Sequence, residues 1–367
     1  MKITCQKDVL LQYINIVNKA VSSRTTLEIL ECILLTVDEN GFTMTGNDLD
    51  LGIKTAPIEV EDAVHGEVAI EAKIFNEIIR RLNGEMVTIE SDEKNAIKIT
   101  CGSSKFNIMG QSGDDFPNLT EVEQNRAYVI KQSHLRDMIR QTIFSIAQDS
   151  SKIMLTGELF EFKENAIQIV SVDGYRISFR KGELESSFAD NEVIVPGKAL
   201  TELNKILSQE EEDLVSIFVT EKNILFDLGN AILVSRLIAG DFINYNQSFS
   251  EDCKTEIVID KQGLIQSLER ASLVSRDNRK TPIRMQILAN QLVITANSDM
   301  GTAHEEIQME MEGDELTIAF NPKYLIDALR TIDDEKVRIK FMASLSPCTI
   351  LPMEGDGYKY LILPLRM

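Results

Sequence analysis

Lys73-Ile74-Phe75-Asn76-Glu77-Ile78-Ile79-Arg80, Lys198-Ala199-Leu200-Thr201-Glu202-Leu203-Asn204-Lys205 and Lys323-Tyr324-Leu325-Ile326-Asp327-Ala328-Leu329-Arg330 are one pattern written three times, 125 residues apart. Each places cation, acid and cation at i, i+4 and i+7, on one face of a helix. Apolar residues recur beside them: Phe75, Ile78, Ile79 and Leu82, then Leu200, Leu203 and Leu207, then Leu325, Ala328, Leu329 and Ile332. That spacing makes each helix amphipathic, with one buried side and one basic-edged side. A chain repeating itself at this interval is a repeat architecture.

The surroundings repeat too. Each copy opens with a helix aligned on Leu10, Leu135 or Leu264, and carries an aspartate, Asp48, Asp173 or Asp299, after an apolar alternating run. The first two copies close with related turns, Asp115-Phe116-Pro117-Asn118 and Asp241-Phe242-Ile243-Asn244. Between the helices lie short runs rich in β-branched residues, such as Ile33–Val37, Ala166–Val170 and Gln291–Thr295, which read as strands. The fold class is therefore α+β: three tandem similar domains, each of two helices on antiparallel sheets, at 1–125, 126–252 and 253–367. A unit of this size is large enough to fold alone.

Of the 367 residues, 43% are hydrophobic and 26% charged, a globular balance. No apolar run reaches membrane-spanning length and no signal peptide opens the chain, which predicts a soluble, cytoplasmic protein. Five scattered cysteines without a Cys-x-x-Cys pair suit reduced core thiols. The net charge of −20 at first argues against a polyanionic partner. Divided by element, it does not. The helical stretches expected at 6–24, 71–82, 131–148, 197–207, 261–280 and 322–332 hold 18 Lys and Arg against 8 Asp and Glu, leaving −30 elsewhere. Such segregation lets one surface face a nucleic acid while the rest repels it.

Catalytic motifs are missing. There is no phosphate-binding glycine loop, no His-Glu-x-x-His and no Gly-x-Ser-x-Gly, and His65, His134 and His304 stand far apart. Asp48, Asp173 and Asp299 recur at the repeat interval, which suits turn acceptors better than a catalytic set. No enzyme activity, cofactor or metal is expected. Three compact domains about 36 Å across, closed in a ring, leave a hole of about 6 Å; six leave about 36 Å. If the basic helices line a hole, the chain should dimerise head to tail.

With these residues assembled, the chain resembles the bacterial DNA polymerase III sliding clamp family (the β subunit) from end to end. The resemblance is carried by Arg24-Thr25-Thr26-Leu27-Glu28-Ile29-Leu30, Thr45-Gly46-Asn47-Asp48-Leu49, Asp115-Phe116-Pro117-Asn118-Leu119, Leu155-Thr156-Gly157, Val172-Asp173-Gly174-Tyr175-Arg176, Val193–Lys198, Phe320-Asn321-Pro322 and Leu363-Pro364-Leu365-Arg366-Met367. It implies a homodimeric six-domain ring that encircles duplex DNA without reading sequence and tethers replicative and repair polymerases as a processivity factor. Implied partners are DNA, a second copy, DNA polymerases, the clamp loader and other proteins carrying a short clamp-binding peptide. By position, Arg24, Lys73, Gln148, Lys152 and Lys198 would meet the DNA backbone. A peptide pocket would be lined by Leu155, Val172, Gly174, Tyr175, Arg176, Ile177, Ile243, Leu363, Pro364, Leu365, Arg366 and Met367. Phe106, Ile108, Leu273 and Val274 would fall at the dimer junction. One departure stands out: Ile243 occupies a position usually held by Pro, which frees φ and restores an N–H at the pocket rim.

Two other readings fit parts of the sequence. One is an acidic multidomain scaffold that binds proteins without encircling DNA, and the other a carboxylate-dependent hydrolase. The hydrolase requires two of Asp48, Asp173 and Asp299, or one of them and another acid, to share a cleft.

Overall fold

The structure, a computed structural model, describes residues 1–22, 24–149, 151–249, 252–274 and 282–366. Its helices are α1 (Lys7–Val17), α2 (Ala72–Arg81), α3 (Gln132–Arg140), α4 (Gly197–Leu203), α5 (Lys261–Ser272) and α6 (Pro322–Thr331). The chain gathers into two compact units, one of residues 1–133 and 201–237, the other of 134–200 and 238–367.

Sheet continuity explains why the middle segment is shared between the units. In the first unit, Leu51–Thr55 pairs antiparallel with Ala231–Arg236, Ile53 opposite Leu233, joining early and middle strands into one eight-stranded sheet. In the second unit, Arg176–Glu183 pairs with Tyr358–Ile362, Ile177 opposite Leu361, to make a nine-stranded sheet. Each unit has one further sheet, of five and four strands respectively. Both leave a long edge strand open: Ser104–Met109 in the first and Gly301–Gln308 in the second.

The helices bury the faces that the spacing predicts. Leu10, Ile14, Phe75 and Ile79 are fully buried in the first unit, and Leu264, Leu268, Leu325 and Leu329 lie in the core of the second. The Asn321-Pro322 pair starts α6: the Asn321 side chain accepts from Lys323 N at 3.0 Å, and Pro322 takes the first helical position, where no donor is lost. Asp260 caps α5 in the same way through Gly263 N.

All six helices are shorter than the sequence pattern suggests. α1 ends at Val17 and tightens into a 3-10 turn at Asn18–Ala20, where strand Gly41–Asn47 crosses it so closely that a Cβ on Gly46 would lie 2.3 Å from the Val17 carbonyl. α3 stops at Arg140, beyond which the Thr142 hydroxyl donates back to Met138 O at 2.8 Å and competes with the helical ladder. The helix expected to reach residue 280 ends at Ser272, and 275–281 lie outside the described residues. The charge segregation shrinks accordingly: the helices proper hold 11 Lys and Arg against 6 Asp and Glu. Much of the remaining positive excess belongs to the segments that follow them.

Candidate functional site

The site is built on a turn. After strand Ala166–Val172, Asp173 Oδ1 accepts from Tyr175 N at 2.9 Å and Arg176 N at 3.0 Å, and Gly174 takes φ +90°. This local carboxylate turn leaves glycine as the residue that enters the left-handed region without strain. Asp48 repeats the arrangement, accepting from Asp50 N and Leu51 N at 3.1 and 2.7 Å, as the sequence reading expects. In the third copy the acceptor is Ser298 rather than Asp299: its hydroxyl takes Met300 N at 3.1 Å.

Arg176 is almost fully buried and all its directions are used. Nε donates to Asp173 Oδ2 at 3.0 Å, Nη1 to Asp327 Oδ2 at 2.8 Å and Nη2 to Phe144 O at 2.7 Å. Its guanidinium also lies 4.6 Å from the Tyr324 ring centroid and 5.2 Å from that of Phe144. Tyr324 in turn stacks on Tyr175 at 6.1 Å, and Tyr175 is 56% exposed. Arg176 is therefore a brace between the Asp173 turn, Asp327 of α6 and the Phe144 carbonyl.

Leu155, Val172 and Ile177 are buried in one apolar cluster with Leu361, and Ile243 is partly buried against it. The terminal segment docks by backbone: Leu363 N donates to Tyr175 O at 2.9 Å and Leu365 N to Ala319 O at 2.8 Å. Leu363 is left 39% exposed at the rim, Pro364 and Leu365 half-buried and Arg366 exposed. Met367 lies outside the described residues. Leu361, Tyr324 and Phe144 were not expected here. The Leu361 position could have been found from the alternation of Leu361 and Leu363 on one strand face; Tyr324 and Phe144 come from distant parts of the chain with no sequence signal.

Beside this cluster, the strand Gly157–Lys163 turns Leu159 toward it and Glu158 to the opposite face. Glu158 is wholly buried, and neither carboxyl oxygen has a hydrogen-bond partner among the described residues. Burial pushes its pKa up to about 8, and the nearby Thr142 hydroxyl offsets only part of that.

The expected DNA-contacting residues are all exposed. Arg24 and Lys73 belong to the first unit, and Gln148, Lys152 and Lys198 to the second. Several other helix cations are occupied within the fold. Lys7 Nζ donates to Leu82 O and Lys261 Nζ to Ile332 O, each satisfying a carbonyl just past a neighbouring helix. Arg140 binds Asp333 and the Thr331 carbonyl, and Arg330 binds Glu269 at 2.6 Å.

Of the expected junction residues, Phe106 and Ile108 lie on the open edge strand Ser104–Met109, with Phe106 38% exposed. Leu273, 77% exposed, and Val274 follow α5. The edge strand Gly301–Gln308 was not expected from the sequence. Among the described residues, no group of three or more His, Cys, Asp or Glu could hold a metal ion. The Asp48 and Asp173 carboxylates accept from their own backbone, as turn acceptors do, and the acid near Asp173, Asp327, is joined to it through the Arg176 guanidinium.

Comparison with known proteins agrees along the whole chain. Residues 1–120, 129–244 and 247–366 match the N-terminal, central and C-terminal domains of the DNA polymerase III beta subunit. The beta sliding clamps of Halalkalibacterium halodurans and Bacillus subtilis are 35% and 33% identical, each covering 100% of both chains. A crystal structure of a putative DNA polymerase III beta subunit from Eubacterium rectale is 42% identical, covers 100% of both chains and superposes with a TM-score of 0.95. The sliding clamp from Bacillus subtilis superposes equally well, covering 100% of this chain and 99% of its own.

Proposed function

The chain belongs to the DNA polymerase III beta subunit family, the sliding clamps, and from that premise we propose that two copies close head to tail around duplex DNA and tether polymerases. The observation that carries this is a repeat of junction strands. Leu51–Thr55, Arg176–Glu183 and Gly301–Gln308 are equivalent by the repeat interval, as are Ser104–Met109, Ala231–Arg236 and Tyr358–Ile362. The first two of one set pair with the last two of the other. Gly301–Gln308 and Ser104–Met109 are the two left without a strand partner on their open edges. Unpaired edges are templates for pairing, and one of each kind per chain suits a closed twofold assembly.

In this reading the three domains span 1–125, 126–252 and 253–367, with Phe106 and Ile108 of one protomer meeting the end of α5 of the next. Arg24, Lys73, Gln148, Lys152 and Lys198 face the DNA backbone, where loose phosphate contacts hold the ring without reading bases. The cluster of Leu155, Val172, Ile177, Ile243, Leu361 and Leu363 takes the aliphatic side chains of a short peptide from a polymerase, the clamp loader or another cytoplasmic partner. The protein does no chemistry of its own. Sedimentation tests the assembly: the native chain runs at twice the chain mass and Phe106→Asp at the monomer mass. A monomeric native protein would contradict the reading.

A further inference from the structure

The face of the nine-stranded sheet that carries the apolar cluster changes character along its strands. Val172, Ile177 and Leu361 lie in one cross-strand row. Two residues further along the same face, Val170, Phe179 and Lys359 form the next, and Gln168 opposite Lys181 the one after. Strand pairing carries the face on to Leu351 and Thr349, opposite Arg338 and Lys340. Phe179, Lys359 and the residues beyond them on this face, together with Tyr245 and Phe249, line an open groove of about 650 Å³. Phe179 and Phe249 meet edge-on at 6.4 Å, and both belong to the cluster of Leu155, Val172 and Ile177, so groove and pocket share one floor.

The groove is cationic on a chain of net charge −20. Lys181, Arg338, Lys340 and Lys359 line it, against Asp356 in its wall and Glu256 beside it. Lys181 stands 3.9 Å from Asp356, and Arg338 and Lys340 share Glu256 at 3.4 and 3.6 Å. Lys359 makes no ion pair among the described residues and lies 5.7 Å from the Phe179 ring centroid. Glu161 and Glu192 continue the row of Gln168 and Lys181, and Glu161 pairs with Lys163 and accepts from the Tyr245 hydroxyl. Five cations thus stand against four carboxylates beside an apolar floor, with Lys359 the lining cation that has no ion pair among the described residues.

We propose that this groove extends the peptide pocket and selects partner segments carrying acidic side chains next to their aliphatic anchor. The inference rests on the pocket reading given above. Ile177 and Lys181 are four residues apart on one strand, about 13 Å, so an extended peptide seated on Ile177 brings a carboxylate to Lys181 about four residues from its anchor, with Lys359 in the row between. The surrounding negative field disfavours the same carboxylate elsewhere on the surface, so the groove acts as a register mark.

Fluorescence anisotropy on the full-length protein tests it. The probe is a labelled peptide with two central leucines and pairs of aspartates four residues to either side, compared with the same peptide carrying asparagines. At low salt the aspartate peptide should bind about tenfold more tightly. Lys181→Gln with Lys359→Gln should erase that advantage and leave the asparagine peptide unaffected, while Leu363→Asp should abolish both. Equal binding of the two peptides, still lost in Leu363→Asp, overturns the acidic preference and leaves the pocket standing. If neither peptide binds, pocket and extension fall together. A thymidine oligonucleotide that binds more tightly than the aspartate peptide, and is lost in the double variant, assigns the groove to nucleic acid and overturns the proposal.

Discussion

Arg176 Nη1 lies 2.8 Å from Asp327 Oδ2, so the acid of the third repeated helix pattern is held by the strand Arg176–Glu183 rather than by its own helix. In the other two patterns the acid does pair locally. Glu77 binds Arg80 and also Arg81 at 2.8 Å, and Glu202 binds Lys205 at 2.7 Å. Three residues alike in sequence therefore have two jobs. The Arg176 side chain is only 9% exposed, and removing it strands Asp173, Asp327 and the Phe144 carbonyl. Arg176→Ala should cost about 2–4 kcal/mol in urea unfolding, and Arg176→Lys should recover little, because one ammonium cannot reproduce the fork.

Glu77 and Glu202 are half-buried and pair with cations of their own helix patterns, which lowers the positive charge that DNA would meet. Glu77→Gln with Glu202→Gln should slow diffusion along DNA in single-molecule tracking, since less of the cationic face is neutralised. Asp327→Asn should instead lower stability through Arg176 without a comparable effect on sliding. Faster diffusion in the double variant would reject this division of roles.

Glu158 gives a pH signature. Its folded pKa, about 8, lies above the ordinary carboxyl value of 4.5. The folded state thus binds the proton more tightly, so its contribution is complete below pH 4.5 and is lost as pH rises toward 8. Glu158→Gln removes that dependence. The stability difference between variant and native protein should grow in the variant's favour by about 1.4 kcal/mol per pH unit across this window, read by denaturant titration at several pH values. A constant difference would mean that Glu158 is not buried as a neutral acid.

The tail offers a separable test. Leu365 N is anchored on Ala319 O, and Arg366 lies beyond that anchor. Deleting residues 366 and 367 should abolish polymerase stimulation and leave sedimentation and unfolding unchanged. Loss of the dimer would show that this segment supports the assembly instead.

The sequence made the triplication legible because helical spacing and turn acceptors are local signals. Lys73, Glu77 and Arg80 announce an amphipathic helix wherever they occur, and Asp173 folds its turn from within four residues. Helix ends were less legible: the stop after Arg140 depends on the Thr142 hydroxyl, and that of α1 on a strand crossing at Gly46. Nor could charge alone tell which cations face outward, since Lys7, Lys261 and Arg140 are absorbed by carbonyls and acids distant in sequence. The apolar cluster was half visible. Leu155, Val172 and Ile177 were found through family resemblance, whereas Leu361 and Tyr324 join them only through pairing across 184 and stacking across 149 positions. No local signal marks Ser104–Met109 and Gly301–Gln308 as open edges, because an edge is set by which strands pair elsewhere in the sheet.

Retention on DNA tests encirclement most directly. Loaded onto a nicked circular plasmid, the protein should stay bound through a salt wash of about 0.5 M, because screening removes phosphate contacts but does not open a ring. Cutting the plasmid once should then release it within the time needed to slide to an end. Equal retention on circular and linear DNA, or loss from both in salt, would contradict the account.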